Sequence, residues 1–477
     1  MQNSKKIWAH VDARKEDYEA LSDRVWGMPE LAYGEFRSVA EHKAMLAQEG
    51  FRITETLAGI PTAVMGEAGE GGPVIAILGE YDALPGLSQV AGIAEPKEVE
   101  AGGHGHGCGH NMLGSAALLA ATAVKNYLAE KGLKGRVRYY GCPAEEGGAA
   151  KVFMVRAGAF KDVDIAISWH PGSINRVDDA NSLANTRIDF TFKGRASHAA
   201  ASPHLGRSAL DAVELMNVGV NYMREHMPSD ARIHYAILDA GGIAPNVVQG
   251  TAKVRYAVRA RDLPGMKALV ERVKKVAQGA ALMTETQMSL QVVSAVSNVL
   301  GNTPLEQAMQ VQFEALGPPP FDEADQAYAR AIQDTLTSED IASAFARAGV
   351  TPRTDLPLCD FVVPYGTKGV PMLGSTDVGD VSWSVPTVQA RVATHAIGTP
   401  LHTWQATAQG KSGQAKKGMV TAAKVMAGTA VEAIEDAGLI ARAKADHAAR
   451  TQAVPYECPL PEDVRPPIRP APSVAAE

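Results

Sequence analysis

The residues best suited to chemistry in this 477-residue chain crowd into one stretch. Residues 101–114 read AGGHGHGCGHNMLG, where His104, His106, Cys108 and His110 alternate with glycine. A thiolate and an imidazole two positions apart on an extended segment point the same way, so Cys108 and His110 can share a metal. Other ligand types recur elsewhere: Glu80 and Asp82 at the end of VIAILGEYDALPG, Glu145 and Glu146 in PAEEGG, His170 in DIAISWHP, and His402 far downstream in GTPLHTW. Each alone has an ordinary reading as a solvated carboxylate or a satisfied histidine. Their order behind successive buried strands predicts convergence in one crevice at the carboxyl ends of a parallel sheet.

Such a set predicts hydrolysis of an amide or peptide-like bond. Two metal ions about 3.5 to 4 Å apart make a bridging hydroxide nucleophilic at neutral pH and polarise the attacked carbonyl. A carboxylate beside them must take the water proton and return it to the leaving nitrogen. Adjacent glutamates can divide these tasks, one on metal and one on protons. A structural knot using only the ligands of 101–114 is the competing reading, and it leaves Glu145, Glu146 and His402 without a role.

The elements that would hold these residues read as an α/β protein. Apolar residues at helical spacing fill the first 49 positions, and strands around PTAVMGE, VIAIL, RVRYYG and DIAIS alternate with helices at MLGSAALLAATAVKNYLAEK and KVFMVRAGAF. The continuous apolar run VIAIL suits a strand buried on both faces. The texture then changes to an α+β pattern: a strand at NTRIDFTFK, a long helix, strands at RIHYAIL and AKVRYAV, a second helix and a strand at MSLQVVSAV. The expected division is 1–185 and 300–453 for the two parts of a catalytic domain, 186–299 for an inserted domain, and 454–477 for an extended Pro-rich tail.

Bulk properties exclude several classes. The chain is 46% apolar and 21% charged with a net charge of −7, which lacks the basic excess of a nucleic-acid binder. No run of about 18 apolar residues occurs and the N-terminus lacks a signal-peptide core, so the expectation is a cytoplasmic protein without a membrane partner. Four scattered cysteines argue against a disulfide framework.

The motifs GEYDALPG, GHGHGCGHN, PAEEGG, WHP, ASHAAASPHLGRSALDA, GGIAPNVVQ, STDVGDVSW and GTPLHTW, in this order, resemble the dinuclear-metal amidohydrolases of the M20 peptidase superfamily, in the branch with a cysteine ligand. The resemblance implies a mixed, largely parallel sheet flanked by helices, with the insert as a dimerisation or lid domain. It implies Cys108, His110, Glu146, His170 and His402 as ligands of two divalent ions, Mn²⁺ or Zn²⁺, with Cys108 as the bridge. Glu145 would be the general base, and Asp82 would orient a ligand imidazole. Glu80 stands where the wider superfamily has a ligand histidine, a departure that fits the branch with the Cys-x-His pair. His198 in RASHAA resembles a histidine that reaches a partner's site, and Asn246 and Arg259 are the implied substrate contacts. The implied substrates are small N-acyl amino acids: p-aminobenzoyl-glutamate, other N-aroyl amino acids or an indole-acyl conjugate. A homodimer through the lid, or a heteromer with a related A-type chain, is the implied assembly. His104 and His106 are then left over, as passengers on a glycine arm or residues at the crevice mouth.

Overall fold

The computed structural model describes residues 2–471 except 179 and 372. Two sheets organise it. The larger contains β1 (Arg52–Glu55), β2 (Val64–Glu70), β3 (Val74–Glu80), β4 (Gly135–Cys142), β5 (Ile165–Gly172), β6 (Arg176–Val177) and, from the far end of the chain, β11 (Thr387–Ala393). Its order is β1-β2-β4-β3-β5-β11-β6. The four central strands run parallel, and the edges are antiparallel. This is the α/β class read from the sequence.

The run VIAIL is apolar throughout because β3 is covered on both sides. Ile75 and Ile77 enter the main core with the long helices His110–Lys131 and Gly413–Glu435. Val74, Ala76 and Leu78 enter a second core with the helices Ala150–Arg156 and Val378–Ser384. A strand sandwiched between helical layers cannot alternate with polar residues. The consequence for the site is rigidity: the strand ends that carry the acidic and imidazole groups are fixed from two sides.

The second sheet is antiparallel, with β7 (Ala184–Lys193), β8 (Arg232–Asp239), β9 (Thr251–Ala260) and β10 (Gln287–Val296) in the order β10-β7-β9-β8. Ile188, Phe190, Val254, Tyr256 and Val258 alternate inward against the helices Ala209–Met223 and Leu263–Met283, making a separate core. The chain segments entering and leaving this unit are tied together: Val299 N–H donates to Ser182 Oγ at 2.7 Å, and Ser297 donates twice to buried Asp380.

The C-terminal segment has no regular elements over 452–471, as its prolines predict, and it is held against the body. Tyr456 donates to Asp380 at 3.0 Å, the Arg156 guanidinium donates to the carbonyls of Pro461 and Val464, and Leu460 is buried. The extended Pro-rich segment expected from 454 is therefore anchored along its described part. Positions 472–477 of that expectation lie outside the described residues. None of the described helices is long and apolar enough to cross a membrane.

Candidate metal centre

Three strand ends and one helix start meet at the carboxyl edge of the parallel strands. β3 ends at Glu80 and delivers Asp82, β4 ends at Cys142 and delivers Glu145 and Glu146, and His170 lies within β5, opposite Arg391 of β11. Cys108 and His110 do not follow a strand. They end a long loop after β3 that pairs with itself at Leu84 and Gly105, and His110 is the first residue of its helix. Nor is Cys-x-His extended: Gly109 has φ +76°, and a Cβ there would lie 2.8 Å from Met112 Cε and 3.0 Å from Pro171. A left-handed turn at glycine, not strand alternation, brings the two side chains together. His402 arrives on another strained residue, φ 62°, its backbone N–H held by the Gly107 carbonyl at 2.8 Å.

The ligand atoms of Cys108, His110 and His170 lie within 4.8 Å of one another, as do those of Cys108, Glu146 and His402. Cys108 belongs to both groups. Cys108 Sγ is 3.5 Å from His170 Nε2, Glu146 Oε1 is 3.4 Å from His402 Nε2 and 4.0 Å from His110 Nε2. Each inner imidazole is oriented through its other nitrogen. His110 Nδ1 donates to Asp82 Oδ1 at 2.9 Å, and His170 Nδ1 donates to the Pro171 carbonyl at 2.8 Å, so both present Nε2. Asp82 Oδ2 also accepts the Glu146 backbone N–H at 2.8 Å. His110 Nε2 and Glu146 Oε1 are buried without a hydrogen-bond partner, an arrangement that fits a cation between them.

The electrostatics of His170 match this fit. Burial, Arg391 and His110 hold His170 well below its usual range, keeping the neutral imidazole that binds metals. Burial pushes the Cys108 thiol up, a cost that a divalent ion offsets by stabilising the thiolate. Burial, with Glu80, Glu146 and Asp377 nearby, raises the Glu145 carboxyl well above the ordinary range. A carboxyl raised in this way holds a proton more readily than a solvated one, the direction that acid/base work needs. Backbone strain gathers here too, with left-handed Ala144 and Ala149 bracketing the two glutamates.

The remaining predicted residues divide. Arg259 lines the cavity of about 610 Å³ that opens beside Cys108, Glu145, Glu146, His170 and His402. His198 and Asn246 are exposed and line no part of it. β7 starts at the cavity and carries the chain away from it; Arg187 to Lys193 alone spans about 20 Å of strand. His198 Nδ1 accepts the backbone N–H groups of Ala200 and Ala201, leaving Nε2 free. His104 is exposed, whereas His106 is buried with Nε2 3.1 Å from the Val25 carbonyl. His106 is therefore neither a passenger on a mobile arm nor a mouth residue, because that bond ties it to the neighbouring helix.

Sequence reasoning passes over a buried charge cluster beneath the centre. Lys151 Nζ bridges Glu80 at 2.5 Å and Asp377 at 2.7 Å, and the other Glu80 oxygen is 3.3 Å from His110 Nε2. It misses Glu35 as well, which accepts the Ala144 backbone N–H and so braces the glutamate loop. Asp377 lies in the motif STDVGDVSW, which signals importance without a role, while Lys151 in an apolar helix carries no signal at all.

A model of the peptidase family M20/M25/M40 matches residues 76–356. The chain belongs to this family. It is 45% identical over 466 residues to the B-type chain of p-aminobenzoyl-glutamate hydrolase, a subunit by name, of Escherichia coli (strain K12), covering 96% of this chain and 97% of the relative. It is 31% identical over 286 residues to the Xaa-Arg dipeptidase of Mus musculus, covering 57% of this chain and 62% of that one. The solved aminobenzoyl-glutamate utilization protein from Klebsiella pneumoniae has a TM-score of 0.59 at 18% identity, over 89% of this chain and 97% of its own, a likeness of fold. The M20 family is metal-dependent, and membership with the named hydrolase relative makes this chain an enzyme acting on amide bonds.

Proposed function

We propose that the chain hydrolyses the amide bond of small N-acyl amino acids, p-aminobenzoyl-glutamate or a related N-aroyl conjugate, with Glu145 as general base. The observation that carries the reading is the pair of buried atoms without a hydrogen-bond partner, His110 Nε2 and Glu146 Oε1, beside Cys108. Cys108, His110, Glu146, His170 and His402 would hold two divalent cations. The thiolate favours Zn²⁺, and the imidazoles and carboxylate accept Mn²⁺ as well. When bound, the ions polarise the scissile carbonyl and make water a stronger acid. Glu145 takes the water proton and delivers it to the leaving nitrogen. Asp82 keeps His110 in the tautomer that presents Nε2, and the 610 Å³ cavity gives the acyl and amino-acid halves room.

In this reading 186–299 is a lid and dimerisation domain. Support comes from its exposed apolar residues: Leu215, Val218 and Tyr222 on one face of the Ala209–Met223 helix, and Tyr235, Ile237 and Leu238 on edge strand β8. A second copy seated there would supply the His198 that its own cavity lacks. The relative's name designates a subunit, which supports assembly with an A-type chain as the alternative. A non-catalytic subunit would have no need to keep Glu145 and five ligand candidates together.

The test is hydrolysis of a panel of N-acyl amino acids by the chain reconstituted with Mn²⁺ or Zn²⁺, with and without an A-type partner. Glu145→Ala is expected to retain metal and lose turnover by about 10²- to 10⁴-fold. Unchanged turnover removes Glu145 from the mechanism. A single tightly held zinc, indifferent to Glu146→Ala and His402→Ala, points instead to a structural knot.

A further inference from the structure

The second sheet turns one face to its own helices and the other toward the cavity. On β7, Asn185, Arg187 and Asp189 alternate onto the cavity side, and on β9 Arg255 and Arg259 share it, Arg259 in register with Asn185. Of these three arginines, only Arg255 pairs with a carboxylate among the described residues: its Nε is 2.6 Å from Asp189 Oδ1, while Lys253 takes the other oxygen at 2.7 Å. Among the described residues Arg259 reaches only the Ser375 hydroxyl, at 3.2 Å, and its Nε is buried without a hydrogen-bond partner. Arg187 has no hydrogen-bond or ion-pair partner among the described residues. It lies so close over the glutamate loop that a Cβ on Gly147 would fall 2.0 Å from its Nη1. Asn185, only 7% exposed, leaves Oδ1 unpartnered. Asn185, Arg187, Arg259 and Ser375 all line the cavity that holds Glu145 and Glu146.

Two half-buried guanidiniums face one cavity without a hydrogen-bonded carboxylate among the described residues, and the through-space attraction of Glu145 and Glu146 offsets the burial of Arg187 only in part. Burial, and then Arg255, lowers the pKa of Arg187; burial, and then Arg187, does the same to Arg259. One substrate carboxylate satisfies one guanidinium fork, and two on a short chain satisfy both. We infer that Arg187 determines specificity: with Arg259 and Asn185 it receives a dicarboxylate, so the amino-acid half of the substrate is acidic. This rests on the hydrolase reading above and adds to it the residue that selects the side chain. Arg187 sits on β7 rather than in the metal cluster, so it can read the substrate without holding the ions.

The experiment compares the metal-reconstituted full chain with its Arg187→Gln variant on the 4-aminobenzoyl conjugates of L-glutamate and L-glutamine, which differ by one charge at nearly equal shape. The wild type is expected to favour the glutamate conjugate by about 10- to 100-fold in kcat/KM, mostly through KM, the range of one charge-assisted hydrogen-bonded contact. Arg187→Gln should collapse that preference. L-Glutamate, but not L-glutamine, should raise the thermal midpoint of the wild type, and the variant should lose that rise. An equal loss on both conjugates overturns the inference and makes Arg187 a support for the glutamate loop. A preference that survives the substitution overturns it too. Wild-type turnover of other N-acyl amino acids without an acidic preference sinks this inference alone, whereas no turnover of any N-acyl amino acid sinks the hydrolase reading with it.

Discussion

Asp82 shows how much one buried carboxylate does at this site. Its two oxygens accept from His110 Nδ1 and from the Glu146 backbone N–H, so it sets both an imidazole and the neighbouring carboxylate. An asparagine offers only one acceptor oxygen and turns an N–H toward the other donor. Asp82→Asn is therefore expected to weaken metal affinity by about 10- to 100-fold, read by competition with a chelator. Unaltered affinity would mean that packing alone orients His110. The orienting role is what the family resemblance of GEYDALPG implies, and Asp82 follows the end of the buried strand β3 at Glu80. Lys151 is not legible, since nothing along the sequence announces that a lysine in AKVFMVR will fold against Glu80 and Asp377.

At the scale of elements, the apolar periodicity is enough to find the helices and strands that carry the ligands, because burial on one or two faces imposes it. The turn between Cys108 and the His110–Lys131 helix is misread from sequence, because alternation with glycine imitates a strand. What decides it is the positive φ of Gly109 and the lack of space around it. Gly109→Ala is expected to destabilise the fold by about 1 to 2 kcal/mol from the left-handed conformation alone. Contact with Met112 and Pro171 would add to this, and Cys108 would be displaced from His170. Denaturant unfolding and metal content check the two effects separately. Wild-type stability in the alanine variant would show that the turn is free to change hand.

At the scale of the molecule, the question is whether one chain makes a complete site. His198 is exposed at the far end of β7, with Nε2 unengaged, while the cavity next to Glu145 is built without it. If the lid pairs with a second copy, mixing His198→Ala with Glu145→Ala chains should restore part of the activity that each has lost, because one mixed site keeps both residues. Activity no greater than that of the separate variants would confine each site to one chain. The C-terminal strap belongs to this scale as well. Lys267 of the second unit pairs with Glu457 at 2.6 Å, and Tyr456 beside it bonds Asp380 of the first.

The α/β class, the α+β texture of 186–299 and the candidate ligand types with their order are legible along the chain, since local periodicity and residue chemistry are written there. Which of those residues meet depends on how the chain packs. That packing turned His106 into a buried neighbour of Val25, separated His198 and Asn246 from the cavity of their own chain, and set Arg187 over Gly147. The physical reason is that convergence depends on strand order, on the hand of single glycine turns and on which sheet face looks inward. None of these is fixed by spacing in the sequence.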